Sequence, residues 1–191
     1  ALFAEQGALV ALTDINQEPL DEVVDEISAA GYPARSWVLD VSDLEAIKRV
    51  VPEIAEHFGG IDILINNAGI GAGASLDDDD YETVWQRGQD VLLTAHVRMI
   101  RASLPFLRES TGGRIVNIAS GAGRSYSRSR VIPYAAAKAG LLGFTRQLAV
   151  DLAPYGVNVN AVSPGAIASV PNSGWKQMPE AQQRVVLDTV A

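Results

Sequence analysis

Cysteine is absent from this 191-residue chain, which also holds only two histidines and three lysines. Without thiols there is no disulfide framework and no thiolate metal site, and nothing stands against a reducing cytoplasm, the expected location. His57 and His96 stand alone in separate amphipathic segments, which favours structural roles over a zinc site. Basic residues are outnumbered 15 to 23, and the net charge of −8 weighs against a nucleic-acid partner or an anionic membrane surface. No uncharged apolar run reaches the roughly 20 residues of a membrane-spanning helix, and no signal-peptide pattern opens the sequence. What is present, 48% apolar and 20% charged residues, is the composition of a globular protein, and residues 1–191 fit one domain with a full core.

Strand-like and helix-like segments alternate along the chain. "ALVALTD" (Ala8–Asp14) is a short apolar run ending in an acid, as a buried parallel strand would be. Glu18–Gly31 has apolar residues at helical spacing, Pro19 near its start and a closing glycine. Ala34–Asp40 reads as a second strand, and Ser42–Gly59 as a helix capped by Ser42 with Glu45 at the capping-box position. Ile61–Asn66 is a third strand, Tyr81 to about Arg108 a long helical stretch, Gly113–Ser120 a strand, Pro133 to about Ala153 a helix, and Gly156–Ser163 a strand. This alternation predicts right-handed crossovers and an α/β fold, a parallel sheet with helices on both faces in three layers. Ligands of such sheets bind beyond the carboxyl ends of the strands, where Asp14, Asp40, Asn66–Gly69, Ser120 and Pro164–Gly165 all fall. Turns also need polar residues, so polarity at this rim is not by itself a site.

Within "YAAAK", Tyr134 and Lys138 lie one helical turn apart on the same face. Five tyrosines and three lysines in 191 residues give about 0.08 such pairs by chance, so a bland surface pair is unusual. Together, "NNAG" (Asn66–Gly69), "GRIVNIAS" ending at Ser120, "YAAAK" fourteen residues later and "NAVSPGAI" (Asn160–Ile167) resemble the short-chain dehydrogenase/reductase family, over essentially the whole chain. The resemblance implies a doubly wound, Rossmann-type sheet and an oxidoreductase that moves a hydride between NAD(H) and a secondary alcohol or ketone. Tyr134 would then be the acid/base, Lys138 its partner and a holder of the nicotinamide ribose, and Ser120 a hydrogen-bond donor to the substrate oxygen. A free tyrosine has a pKa near 10, and a neighbouring ammonium favours its phenolate.

By the same resemblance, Asp14 would take the adenosine ribose hydroxyls and repel a 2′-phosphate. With Ile15 and Asn16 next, and no lysine or arginine before Arg35, NAD is favoured over NADP. Asp40 and Val41 match adenine contacts, and Asn67, Ala68 and Gly69 match backbone passing close to the cofactor. Pro164, Gly165, Ile167 and Ser169 match the nicotinamide carboxamide loop, Ser169 standing where a threonine is usual. Relatives in this family assemble through helices matching Tyr81–Arg108 and Pro133–Ala153, so a homotetramer or homodimer is expected. The substrate loop falls near Val170–Met178, with Trp175 as a lid aromatic.

Two departures from the family pattern stand out. The glycine-rich pyrophosphate turn and its strand are not in the sequence, and "ALFAEQGA" resembles the second half of the first helix. The chain's end resembles the substrate-loop helix, with a last strand still to come. A fragment of a longer protein, incomplete at both ends, is therefore expected, with a central strand lacking between those that end at Asp14 and Asn66. Leu92 stands where the family carries an asparagine that supports a proton relay, and leucine has no polar atom for that task. A catalytically weak scaffold or sensor, and a 3-oxoacyl-carrier-protein reductase, are the competing readings. "DDDD" (Asp77–Asp80) reads as a solvated helix start rather than a metal site, and Arg124–Arg130 as a solvated loop.

Overall fold

The computed structural model describes residues 1–125, 130–165, 167 and 179. After a short helix, α1 (Leu2–Glu5), come β1 (Val10–Asp14), α2 (Gln17–Ala29), β2 (Ala34–Val38), α3 (Leu44–Phe58) and β3 (Ile63–Asn66). Then follow α4 (Tyr81–Gln89), α5 (Ala95–Glu109), β4 (Arg114–Ile118), α6 (Ile132–Leu152) and β5 (Asn158–Val162). Every strand pairing is parallel, with a helix between consecutive strands, so the α/β expectation holds.

The strands form two ribbons rather than one continuous sheet. β1 pairs with β2, Val10 opposite Ala34, and β3, β4 and β5 pair in that order, Ile115 lying between Leu64 and Val159. Among the described residues, β1 and β3 each keep one edge unpaired. Between them runs an apolar slot of about 400 Å³, lined by Val10–Asp14, Ile63–Asn66 and, from α5, His96, Met99 and Ser103. The main core gathers Ile47, Val50, Val51 and Ile54 of α3, Met99, Ile100 and Leu107 of α5, and Ile115 and Val159 of the sheet. Their helical and alternating spacing is what buries one face of each element.

One local expectation is corrected. Asp43, not Ser42, caps α3: its carboxylate accepts from the Glu45 and Ala46 amides, at 2.9 and 3.1 Å, while the Ser42 hydroxyl donates to Asp40. An aspartate can satisfy two free amides at the positive helix end, so it outcompetes its serine neighbour. The helical stretch from Tyr81 runs unbroken to Glu109, with Asp90–Thr94 forming a π-helical turn between α4 and α5. Leu92, in the middle of that turn, is fully buried against a small cluster that includes Ala72, Ala137 and Tyr134.

Candidate active site

β4 delivers its carboxyl end into a tight turn. Ser120 caps a short 3₁₀ turn, Gly121–Gly123, by accepting from the Ala122 amide at 3.2 Å, and the Gly121 amide donates to the Pro164 carbonyl at 2.9 Å. Ser120 and the Pro164–Gly165 turn therefore share one rim. The turn then lies directly on α6. A methyl group at Gly123 would stand 2.6 Å from the Lys138 carbonyl carbon, closer than packed atoms approach, so this position requires glycine for contact rather than for backbone angle.

Pro133 sits in the first turn of α6, where its missing amide costs nothing, and the next amide, that of Tyr134, donates to the Ala72 carbonyl at 3.3 Å. The phenol ring is half-buried against the cluster around Leu92. One turn on, the Lys138 ammonium is 5.9 Å from the centre of that ring and donates to the Ile118 carbonyl at 2.6 Å. Lys138 is only 3% exposed, and burial pushes its pKa down to about 8. The structure thus brings Tyr134 and Lys138 together and seats the Ser120 turn on the same stretch of helix.

A second cleft, of about 870 Å³, opens beyond the ends of β1, β2 and β3. It is lined by Asp14, Ile15, Asp40, Val41, Ala68 and Gly69, and from α4 by Arg87. Asp14 serves as a turn residue, its Oδ1 accepting from the Asn16 amide and side chain. Both bonds fall on one oxygen, which leaves Oδ2 its lone pairs for a hydroxyl donor. Asp40 accepts two hydrogen bonds from Ser42, and these, with the Arg87 charge, hold its carboxyl below the ordinary carboxylate range. The cleft has the size of a small-ligand site, and the second carboxylate oxygen of Asp14 is available there to a hydroxyl donor. Asn67 lines the neighbouring apolar slot instead. Ile167 is exposed, whereas Ser169, residues 170–178 with Trp175, and Arg128 lie outside the described residues.

Some participants carried no sequence signal. Gly123 is indistinguishable in sequence from its neighbour Gly121, because what it touches is far along the chain. Arg130 is exposed in its loop, and its guanidinium donates to Ser75 at 2.8 Å and pairs with Asp78 at 2.6 Å, tying the segment before Tyr134 to the loop before α4. His96 is buried, and its Nε2 has no hydrogen-bond partner among the described residues. Burial first, then the nearby Lys138 charge, push its pKa down to about 4, so it is neutral at pH 7.

Parallel strands with intervening helices and a cleft at their carboxyl ends are the architecture of a dinucleotide-fold protein. The sequence matches the short chain dehydrogenase family over residues 1–180, and the chain belongs to that family. It is 38% identical to (2S)-[(R)-hydroxy(phenyl)methyl]succinyl-CoA dehydrogenase subunit BbsD of Thauera aromatica, covering 97% of this chain and 72% of the relative. It is also 38% identical to 3-oxoacyl-[acyl-carrier-protein] reductase FabG of Thermotoga maritima, covering 87% and 67% respectively. A short-chain dehydrogenase/reductase structure from Burkholderia xenovorans superimposes with a TM-score of 0.85 at 31% identity, over 96% of this chain and 71% of that one. NAD⁺-bound xylitol dehydrogenase does so with a TM-score of 0.83 at 34% identity, over 91% and 66%. The chain spans 72% of the length of BbsD and 60% of that of an uncharacterized oxidoreductase of Bacillus subtilis.

Proposed function

We propose that this protein oxidises a secondary alcohol, or reduces the corresponding ketone, with NAD(H), using Tyr134 as the acid/base. The observation that carries this reading is the buried Lys138 ammonium beside the Tyr134 ring, fixed on the Ile118 carbonyl. A charge placed in so dry a site is stabilised most when its neighbour becomes an anion, which is what a tyrosine does when it gives up its proton. The bound nicotinamide supplies the hydride donor or acceptor. The chain's residues handle the proton: Tyr134 gives it to, or takes it from, the substrate oxygen, and the Ser120 hydroxyl donates a hydrogen bond to that oxygen. Asp14, Asp40, Val41, Ala68 and Gly69 would hold the adenosine half, with Asn67 beside them. Lys138, Pro164, Gly165, Ile167 and Ser169 would hold the nicotinamide half. The carboxylate of Asp14 favours NAD over NADP, because a 2′-phosphate would meet a like charge. α6 carries exposed Ala136, Ala139, Gly140 and Val150, a surface of small and apolar residues on which we place a contact between copies of the chain.

The test is turnover of a panel of secondary alcohols and ketones with NAD⁺ and NADH, comparing the native protein with Tyr134→Phe. A loss of two to four orders of magnitude, the usual worth of a positioned acid/base, is expected. Undiminished turnover by the variant would remove Tyr134 from the chemistry.

A further inference from the structure

A chain of buried polar groups, used by nothing above, crosses from the sheet to α6. Asn66 Nδ2 donates to Asn117 Oδ1 at 3.0 Å, Asn117 Nδ2 donates to Thr145 Oγ1 at 3.0 Å, and the Thr145 hydroxyl donates to the Leu141 carbonyl at 2.7 Å. The three side chains are 6%, 0% and 5% exposed, so water does not compete for these bonds. Its direction is determined. The hydroxyl's single proton goes to Leu141, so Thr145 can only accept from Asn117, and the Asn117 oxygen is left to face Asn66.

Two attachments of this kind join β4 to α6. Asn117 holds Thr145, and the next residue, Ile118, receives the Lys138 ammonium. Lys138 and Thr145 are two helical turns apart on the buried face of α6. α6 also packs on β5 and on the Gly121–Gly123 turn, and such packing is less directional than a hydrogen bond, which leaves these two bonds to define its position along β4. The amide–hydroxyl bond is directional and, being buried, is expensive to leave unmade.

We infer that Asn117 and Thr145 are positioning residues for Lys138: their bond sets the register of α6 on β4 at which the ammonium meets the Ile118 carbonyl. The inference rests on the tyrosine–lysine reading for its catalytic meaning, but its geometry is testable without substrate. With three lysines in the chain, ¹³Cε-lysine NMR follows Lys138 individually, and Lys138→Arg assigns its resonance. In Thr145→Val the titration midpoint of Lys138 is expected to move up by about one unit or more, as the ammonium leaves its buried seat. Thr145→Ser, which keeps the hydroxyl, is expected to retain the native midpoint. A native midpoint in folded Thr145→Val overturns the inference. Should that variant not fold, the pair Asn117→Leu with Thr145→Val removes both ends of the bond, leaving Asn66 Nδ2 without its Asn117 acceptor, and the same criterion applies to it. If Tyr134→Phe keeps full turnover while the Lys138 midpoint shifts in Thr145→Val, the catalytic reading fails and the positioning inference stands.

Discussion

Lys138 donates to the carbonyl of Ile118 at 2.6 Å, from a helix that reaches this strand end only because the Gly123 turn beneath it has no side chain. The contact is built for charge placement rather than for stability. With its pKa pushed from 10.5 to about 8, the ammonium is protonated in both folded and unfolded chains below pH 8, and there its desolvation cost is fully present. Stability from this group rises only between pH 8 and 10.5, where the unfolded chain still holds the proton that the folded chain has lost. Lys138→Met is therefore expected to gain up to about 3 kcal/mol of folding stability at pH 7 while losing turnover by a hundredfold or more. Urea unfolding and steady-state rates on one preparation check both halves, and a variant that loses stability refutes the first.

Gly123→Ala would drive a methyl group to 2.7 Å from the Lys138 carbonyl oxygen, and neither backbone can yield without moving Ser120 or α6. Overpacking of this kind costs about 1–3 kcal/mol, and here the displaced groups are those placed in the chemistry. Turnover is expected to fall tenfold or more. Gly71→Ala, where a methyl group meets nothing within 4 Å, is the control expected to leave rates and melting temperature unchanged. Equal behaviour of the two variants would show that the turn tolerates separation from α6.

How far the sequence reveals this arrangement depends on how local each cause is. The strands were legible because buried parallel strands read as apolar runs, and Tyr134 with Lys138 because a helix converts spacing into proximity. The choice of Asp43 over Ser42 as a cap was less legible, since both residue types cap helices and only the geometry of the first turn separates them. The π turn at Asp90–Thr94 has no sequence signature of its own. Gly123 on Lys138 and Asn117 on Thr145 join residues far apart in the chain, and spacing carries no record of such pairs.

Asp14 is expected to govern cofactor choice. Its Oδ1 is engaged by Asn16, so substitution disturbs the turn as well as the proposed ribose contact, and Asp14→Asn preserves the turn better than alanine does. Removing the charge while keeping that shape is expected to narrow the preference for NADH over NADPH by about tenfold, a change of roughly 1.4 kcal/mol. Fluorescence titration with each nucleotide reads it, and an unaltered ratio would take Asp14 out of the discrimination.

His96 makes stability fall on the acid side. Its folded pKa of about 4 lies below the ordinary 6.5, so between these values the unfolded chain binds a proton that the folded chain does not. Its full contribution is present above pH 6.5 and is lost as pH falls toward 4, by about 3 kcal/mol in all. Asp40 acts in the same direction but lower, since its carboxyl starts from 3.8 and is shifted down. Urea-unfolding free energies between pH 7.5 and 4.5 are expected to slope for the native protein and to flatten for His96→Asn. Parallel curves would place the acid sensitivity elsewhere.

Leu92→Asn restores the residue type expected of a proton relay, yet it is expected to harm the protein. The side chain is fully buried, packed with Ala72 and Ala137, and a methyl group at Gly69 would already stand 3.3 Å from its Cδ2. An amide there exchanges apolar contacts for polar atoms with Ile70, Val84 and Leu93 around them, a cost of about 3 kcal/mol. Melting temperature is expected to drop, with no gain in turnover per nucleotide-binding site. An asparagine variant that melts like the native protein and turns over faster would mean that the space beside Tyr134 already accommodates a relay, and that leucine there limits the rate.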